Sequence, residues 1–138
     1  MLIGLGIGFW VYGEKLGPPK PKVMIDGDEI PFTQGSYCWT GLFSAKCVDM
    51  HYGGPFEMGT KHRPTAVSPN GEIRIQFQEP PLKGMLKITQ WSDENNMQLV
   101  PAQNGKIKVP NEEGIFVYEI EARWSGGSSS YAFSIEVK

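Results

Sequence analysis

A chain of 138 residues is long enough to bury one hydrophobic core, and a composition 40% apolar and 12% aromatic is too apolar for disorder. Its 13 basic and 15 acidic side chains are interleaved to a formal charge of −2. No basic stripe is left to neutralise a phosphate backbone, which argues against nucleic acid as a partner.

Residues 1–12 carry no charge and read Leu2-Ile3-Gly4-Leu5-Gly6-Ile7-Gly8-Phe9-Trp10-Val11-Tyr12 after the initial Met1. A spanning helix needs about 20 apolar residues, and a signal peptide places a basic stretch before its apolar run. The segment meets neither criterion alone, so the expectation is the end of a membrane anchor whose true start lies upstream. Trp10 and Tyr12 would then sit at the membrane–water interface, where amphipathic rings are enriched. The competing reading, a buried first strand, is disfavoured by Gly4, Gly6 and Gly8, because glycine weakens strand interiors. The same glycines do not make a dinucleotide-binding turn, since the surrounding βαβ pattern is missing. Pro18, Pro19 and Pro21 make a stiff, extended spacer. The expected organisation is an apolar anchor over 1–17, a proline-rich spacer over 18–22 and one domain over 23–138.

Within that domain the apolar period is two. Glu72-Ile73-Arg74-Ile75-Gln76-Phe77-Gln78 alternates cleanly, as does Lys106-Ile107-Lys108-Val109. Phe116, Tyr118, Ile120, Ala122 and Trp124 share one face of a long strand, while Glu119, Glu121 and Arg123 point to the other. Tyr131, Phe133, Ile135 and Val137 line one side of the last strand. Further strands are predicted over 22–25, 29–33, 85–91 and 97–100, with Ser92-Asp93-Glu94-Asn95-Asn96 as a turn. Gly126-Gly127-Ser128-Ser129-Ser130 reads as a flexible connection, and no segment has a helical period. Roughly seven to nine short strands at regular spacing predict an all-β fold, an antiparallel β-sandwich. Seventeen glycines and eleven prolines fit that many turns.

The run over 106–137 resembles the last three strands of an immunoglobulin-like domain: a strand, Pro110, a short acidic turn, Gly114, then two long strands. Phe116 stands where such domains often carry a tyrosine whose hydroxyl bonds back to the turn. The expected likeness is one of layout, because Cys38 and Cys47 are nine positions apart and too close to bridge opposite sheets.

Two cysteines beside an export-like start predict one disulfide, Cys38–Cys47, pinning a loop between them. The rival is a metal site, since Cys38, Cys47, His51 and His62 all fall within 25 positions. Their spacing does not match the tight ligand pairs that zinc sites use. Asp49 and His51 would share a strand face, where a carboxylate could orient a general base. Neither Ser36 nor Ser44 has a context that makes it a nucleophile, so the chain is expected to be no enzyme and to need no cofactor. Trp39, Leu42 and Phe43 lie between the cysteines. They either cap one end of the core or form a partner-contact patch, as aromatic residues on rigid loops do at binding hot spots.

Gly35-Ser36-Tyr37-Cys38-Trp39, then Cys47-Val48-Asp49, a Gly-Pro turn and the ending Tyr131-Ala132-Phe133-Ser134-Ile135-Glu136-Val137 resemble small exported or membrane-anchored proteins of Gram-positive bacilli. That resemblance implies an extracytoplasmic address and the disulfide, with no activity attached. Lipid-anchored members need a cysteine just after the signal; none is present here, which points to a transmembrane or uncleaved anchor. The expected function is a membrane-tethered extracytoplasmic binding or accessory module whose partner is a protein or cell-envelope ligand. Two alternatives are a metal-binding protein using the cysteine–histidine quartet and a loop-displaying protease inhibitor. For the latter, His62-Arg63-Pro64-Thr65 resembles one loop of chagasin-type inhibitors, while their Asn-Pro-Thr-Thr-Gly loop is missing.

Overall fold

Alternation of apolar and polar side chains produces strands throughout the computed structural model, which describes residues 17–41, 45–50, 52–101 and 104–138. In chain order the elements are β1 Pro21–Ile25, β2 Asp28–Glu29, β3 Thr33–Thr40, β4 Ala45–Val48, a single helical turn α1 Pro55–Gly59, β5 Thr65–Val67, β6 Glu72–Phe77, β7 Leu86–Trp91, β8 Met97–Leu99, β9 Lys106–Lys108, β10 Gly114–Trp124 and β11 Gly127–Val137. They form two sheets packed face to face. The smaller has the order β2-β1-β6-β9; the larger runs β4-β3-β11-β10-β7-β8, with β5 added beside β11. All pairings are antiparallel except β5 with β11, which is parallel.

The protein is therefore an all-β sandwich. β1, β6 and β9 in one sheet face β7, β10 and β11 in the other, the layout of an immunoglobulin-like domain. Eleven strands are present among the described residues, more than the seven to nine expected. The surplus comes from an insertion between β1 and β5, which adds β2, the β3–β4 hairpin and α1.

The core lies between the sheets. Val23, Ile73 and Ile107 come from the smaller sheet; Ile88, Tyr118, Ile120, Tyr131, Phe133 and Ile135 come from the larger, and all are buried. The Phe116-to-Trp124 and Tyr131-to-Val137 faces read from the sequence are the inner faces observed. At one end Trp124 contacts Trp39 and Phe77 edge-on, with ring centroids 5.9 and 5.2 Å away. Its indole nitrogen donates to the Glu79 carbonyl at 2.8 Å. The hydroxyl of the buried Tyr131 donates to the Pro19 carbonyl, and burial pushes its pKa up to about 12. That bond, and the start of β1 at Pro21, tie the proline segment to the sandwich. The anchor expected over 1–17 falls almost wholly outside the described residues, among which no helix is long and apolar enough to cross a membrane.

Four expectations are corrected. The Gly126-to-Ser130 run is not a flexible connection: Gly127, Ser128, Ser129 and Ser130 are strand residues of β11, paired with β10 on one side and, through Ser129, with β3 on the other. Only Ser125 and Gly126 remain to turn the hairpin. Serine and glycine lack β-propensity, but two flanking strands satisfy the backbone and override it. The segment between the cysteines is strand at both ends, because β3 continues to Thr40 and β4 begins at Ala45. The strand expected over 29–33 is mainly connection between β2 and β3. Finally, Gly53-Gly54-Pro55 opens a helical turn, with Pro55 at its start. Five residues are too few to show a helical period.

α1 packs on the outer face of the large sheet, where Met58 meets Val117 and Ala132 in a second, smaller cluster with Tyr52, Phe56 and Trp91 around it. Gly59 permits this approach, since a Cβ there would stand 2.3 Å from the Val117 Cγ1. One face of the large sheet thus builds the main core while part of the other is covered by the insertion.

Candidate functional site

The bridged hairpin is the first feature the insertion builds. Cys38 and Cys47 are direct cross-strand partners and are joined by a disulfide across nine positions. Both are exposed. Cys38 also pairs with Ser128, and Trp39 with Gly127, so consecutive side chains leave opposite faces of the sheet. The bridge therefore lies on the outside and Trp39 points into the core, only 7% exposed. This removes Trp39 from the contact patch proposed for this segment. Its neighbours in that patch, Leu42 and Phe43, lie outside the described residues.

Closing ten residues with a disulfide stabilises by about 2.5–3 kcal/mol in the chain-entropy model. The paired Cys38→Ser, Cys47→Ser variant is expected to lose that amount in denaturant melts and still fold. Unreduced protein should weigh about 2 Da less than reduced; two free thiols in oxidised protein would contradict the bridge.

The four side chains weighed as metal ligands do not assemble. Cys38 and Cys47 are spent on each other and offer no thiolate. His51 lies outside the described residues. His62 is exposed and lines a shallow depression with Pro31, Phe32 and residues of β1. Among the described residues, no group of three or more His, Cys, Asp or Glu is placed to hold a metal. Asp49 accepts a hydrogen bond from the Ser36 hydroxyl at 3.1 Å, and Ser36 Oγ in turn accepts the Met50 N–H at 2.9 Å. The pair fastens the exit of β4 onto β3. The His62-Arg63-Pro64 segment runs between α1 and β5.

On the outer face of β10, Glu119 lies beside Glu121 and near Lys87. Burial raises its pKa, the Glu121 charge adds to the rise, and Lys87 opposes it. A carboxyl bound more tightly by protons in the folded state contributes stability that is present below its unfolded pKa and lost as pH rises through the folded value. Glu119→Gln should therefore be more stable than the parent at neutral pH and lose that gain in acid, below the ordinary carboxylate range. Thermal melts at neutral and acid pH check this; equal gains at both would contradict it.

The second feature is a groove along the open side of the sandwich, between the edge strand β8 of the large sheet and the connection from β9 to β10. It has two lobes of about 420 and 380 Å³. Gln90, Gln98, Pro110 and Asn111 line both. Asn70 lines one lobe and Asn96 the other, so five side-chain amides converge. Four are held by their neighbours, Asn96 by donating to the Asp93 carboxylate at 2.6 Å. The Tyr118 hydroxyl donates to Gln90 Oε1 at 3.0 Å, leaving the Gln90 NH2 as a donor for the groove. Asn70 Nδ2 donates to Asn111 Oδ1 at 3.1 Å, which leaves the Asn70 oxygen as acceptor and the Asn111 NH2 as donor. Lys108 borders one lobe and Glu112 the other, so the charges balance. Leu99, Pro101 and Pro110 supply apolar surface, and Leu99 is 66% exposed.

None of these amides stands out in the sequence. They come from separated segments and follow no period; the only local signal is the polar turn over 92–96, which reads simply as a turn. Comparison with protein-family profiles, with curated proteins and with solved structures finds no match to this chain.

Proposed function

We propose that the protein is a non-catalytic binding or accessory module, tethered to a membrane by its N-terminal apolar segment, with the sandwich on the extracytoplasmic side. The observation that carries the address is the exposed Cys38–Cys47 bridge. A solvent-accessible disulfide on an edge hairpin is open to thiol exchange, and such bonds persist in oxidising compartments and are reduced in the cytosol. The uncharged run over 1–12, with Trp10 and Tyr12 at its end, supports the tether. Binding is supported by a rigid sandwich that presents an insertion and a preorganised polar groove.

The test uses the full chain in the cells that make it. Fractionation should place it with membranes. Protease added to intact cells should digest the domain, and alkylation before lysis should find no free thiol at Cys38 or Cys47. Free thiols, or resistance to protease until the cells are lysed, would overturn the reading.

A further inference from the structure

We propose that the groove between β8 and the β9–β10 connection is a binding site for a neutral, polyhydroxylated chain, an oligosaccharide, held by the side-chain amides of Gln90, Gln98, Asn70 and Asn111. The inference rests on the reading of the chain as a binding module and names the class of its ligand.

The chemistry of the lining selects that class. A side-chain amide offers paired donors and an acceptor without charge, which matches the donor–acceptor pairs of vicinal hydroxyls. An anionic ligand calls for guanidinium or ammonium groups, and the lobes offer one lysine offset by one glutamate. A wholly apolar ligand would desolvate the amides without replacing their hydrogen bonds, at a cost for each group. A sugar ring also has C–H faces, and Leu99, Pro101 and Pro110 provide apolar surface for them.

Geometry agrees with a linear occupant. The two lobes share Gln90, Gln98, Pro110 and Asn111, so they lie side by side and could take neighbouring rings of one chain. Two amides are already oriented, Gln90 by the Tyr118 hydroxyl and Asn111 by Asn70. Less ordering entropy is then lost when a ligand arrives. The rival occupant is an extended peptide adding to the free edge of β8. That edge is only three residues long and is closed by Pro101, so it offers few main-chain hydrogen bonds. Only Gln98 of the four amides belongs to β8; Gln90 is on β7, and Asn70 and Asn111 lie in connections.

The experiment is titration calorimetry on the full chain with chitotetraose, cellotetraose and maltotetraose, with a galacturonic acid tetramer as the anionic comparison and the peptide Thr-Val-Thr-Val-Thr as the strand probe. At least one neutral sugar should bind, and neither the acidic tetramer nor the peptide should. Gln98→Ala and Asn111→Ala, both at exposed positions, should each weaken the sugar by about three- to tenfold, the loss of one hydrogen bond. Gln90→Glu keeps the acceptor that faces Tyr118 and removes the donor, so it should weaken binding similarly, with a parent-like circular dichroism spectrum showing that the fold is kept. The proposal is overturned if no neutral sugar binds, if binding ignores all three substitutions, or if the acidic tetramer or the peptide binds in place of the sugars. Failure here with a protease-accessible, disulfide-bonded domain on intact cells would remove the ligand class alone. Free thiols in those cells would remove the binding-module address itself.

Discussion

Trp124→Ala is expected to lower stability by about 3–5 kcal/mol, the range for emptying a buried aromatic site. The ring is 4% exposed and is the common contact of Trp39, on the insertion, and Phe77, on the opposite sheet. Removing it opens a cavity that neither neighbour can fill without leaving its own strand. It also strands the Glu79 carbonyl, which accepts the indole N–H at 2.8 Å. For a domain of this size the melting temperature should fall by about 10–20 °C. Trp124→Phe separates the two contributions: most of the packing is kept, the hydrogen bond is lost, and the cost should shrink to about 1–3 kcal/mol. Thermal and urea melts of the two variants read this directly, and a loss below about 1 kcal/mol for alanine would mean that this end of the core is not packed as described.

Gly127→Ala is expected to cost on the order of 3 kcal/mol, although it adds a single methyl group. Two effects combine. The backbone of Gly127 has φ +153°, in the region that side chains disfavour. A Cβ there would also stand 2.0 Å from the Cys38 carbonyl oxygen and 2.9 Å from its carbon, so backbone rather than a flexible side chain would have to move. The strand pair that would shift is β3 with β11, which carries both the disulfide and Trp39. Hydrogen exchange on β3 should accelerate in the variant along with the loss of stability. A variant as stable as the parent, with β3 still protected, would show that the hairpin does not hold this register.

The two substitutions flank one short turn, and their environments were unequally legible from the sequence. Trp124 follows Phe116, Tyr118, Ile120 and Ala122 at a spacing of two, so its inward direction is a local fact of the strand. Gly127 opens a Gly-Ser-Ser-Ser run with the composition of a linker, and nothing in its own residues marks it as the start of an eleven-residue strand. What marks it is the backbone of β10 and β3 on either side. The same holds for Trp39: beside a cysteine and between two predicted strands it could face either way. The strand phase decides the matter, sending the Cys38 sulfur outward and the indole to the core. The disulfide itself was legible because only two cysteines are present and no other pairing exists.

Sequence alone determined the class of fold, the inner faces of the long strands and the one covalent bridge. Each is written in a local rule: the two-residue period of a pleated strand, the turn chemistry of Asp93 and its neighbours, and the count of thiols. Tertiary structure decided which edges meet. It made a serine run the centre of a sheet, laid a five-residue helix over Val117, and brought Gln90, Gln98, Asn70 and Asn111 from separate segments into one groove. The physical reason is that pairing, burial of a short segment and convergence of surface amides depend on partners distant in the chain, and no period within a segment encodes them.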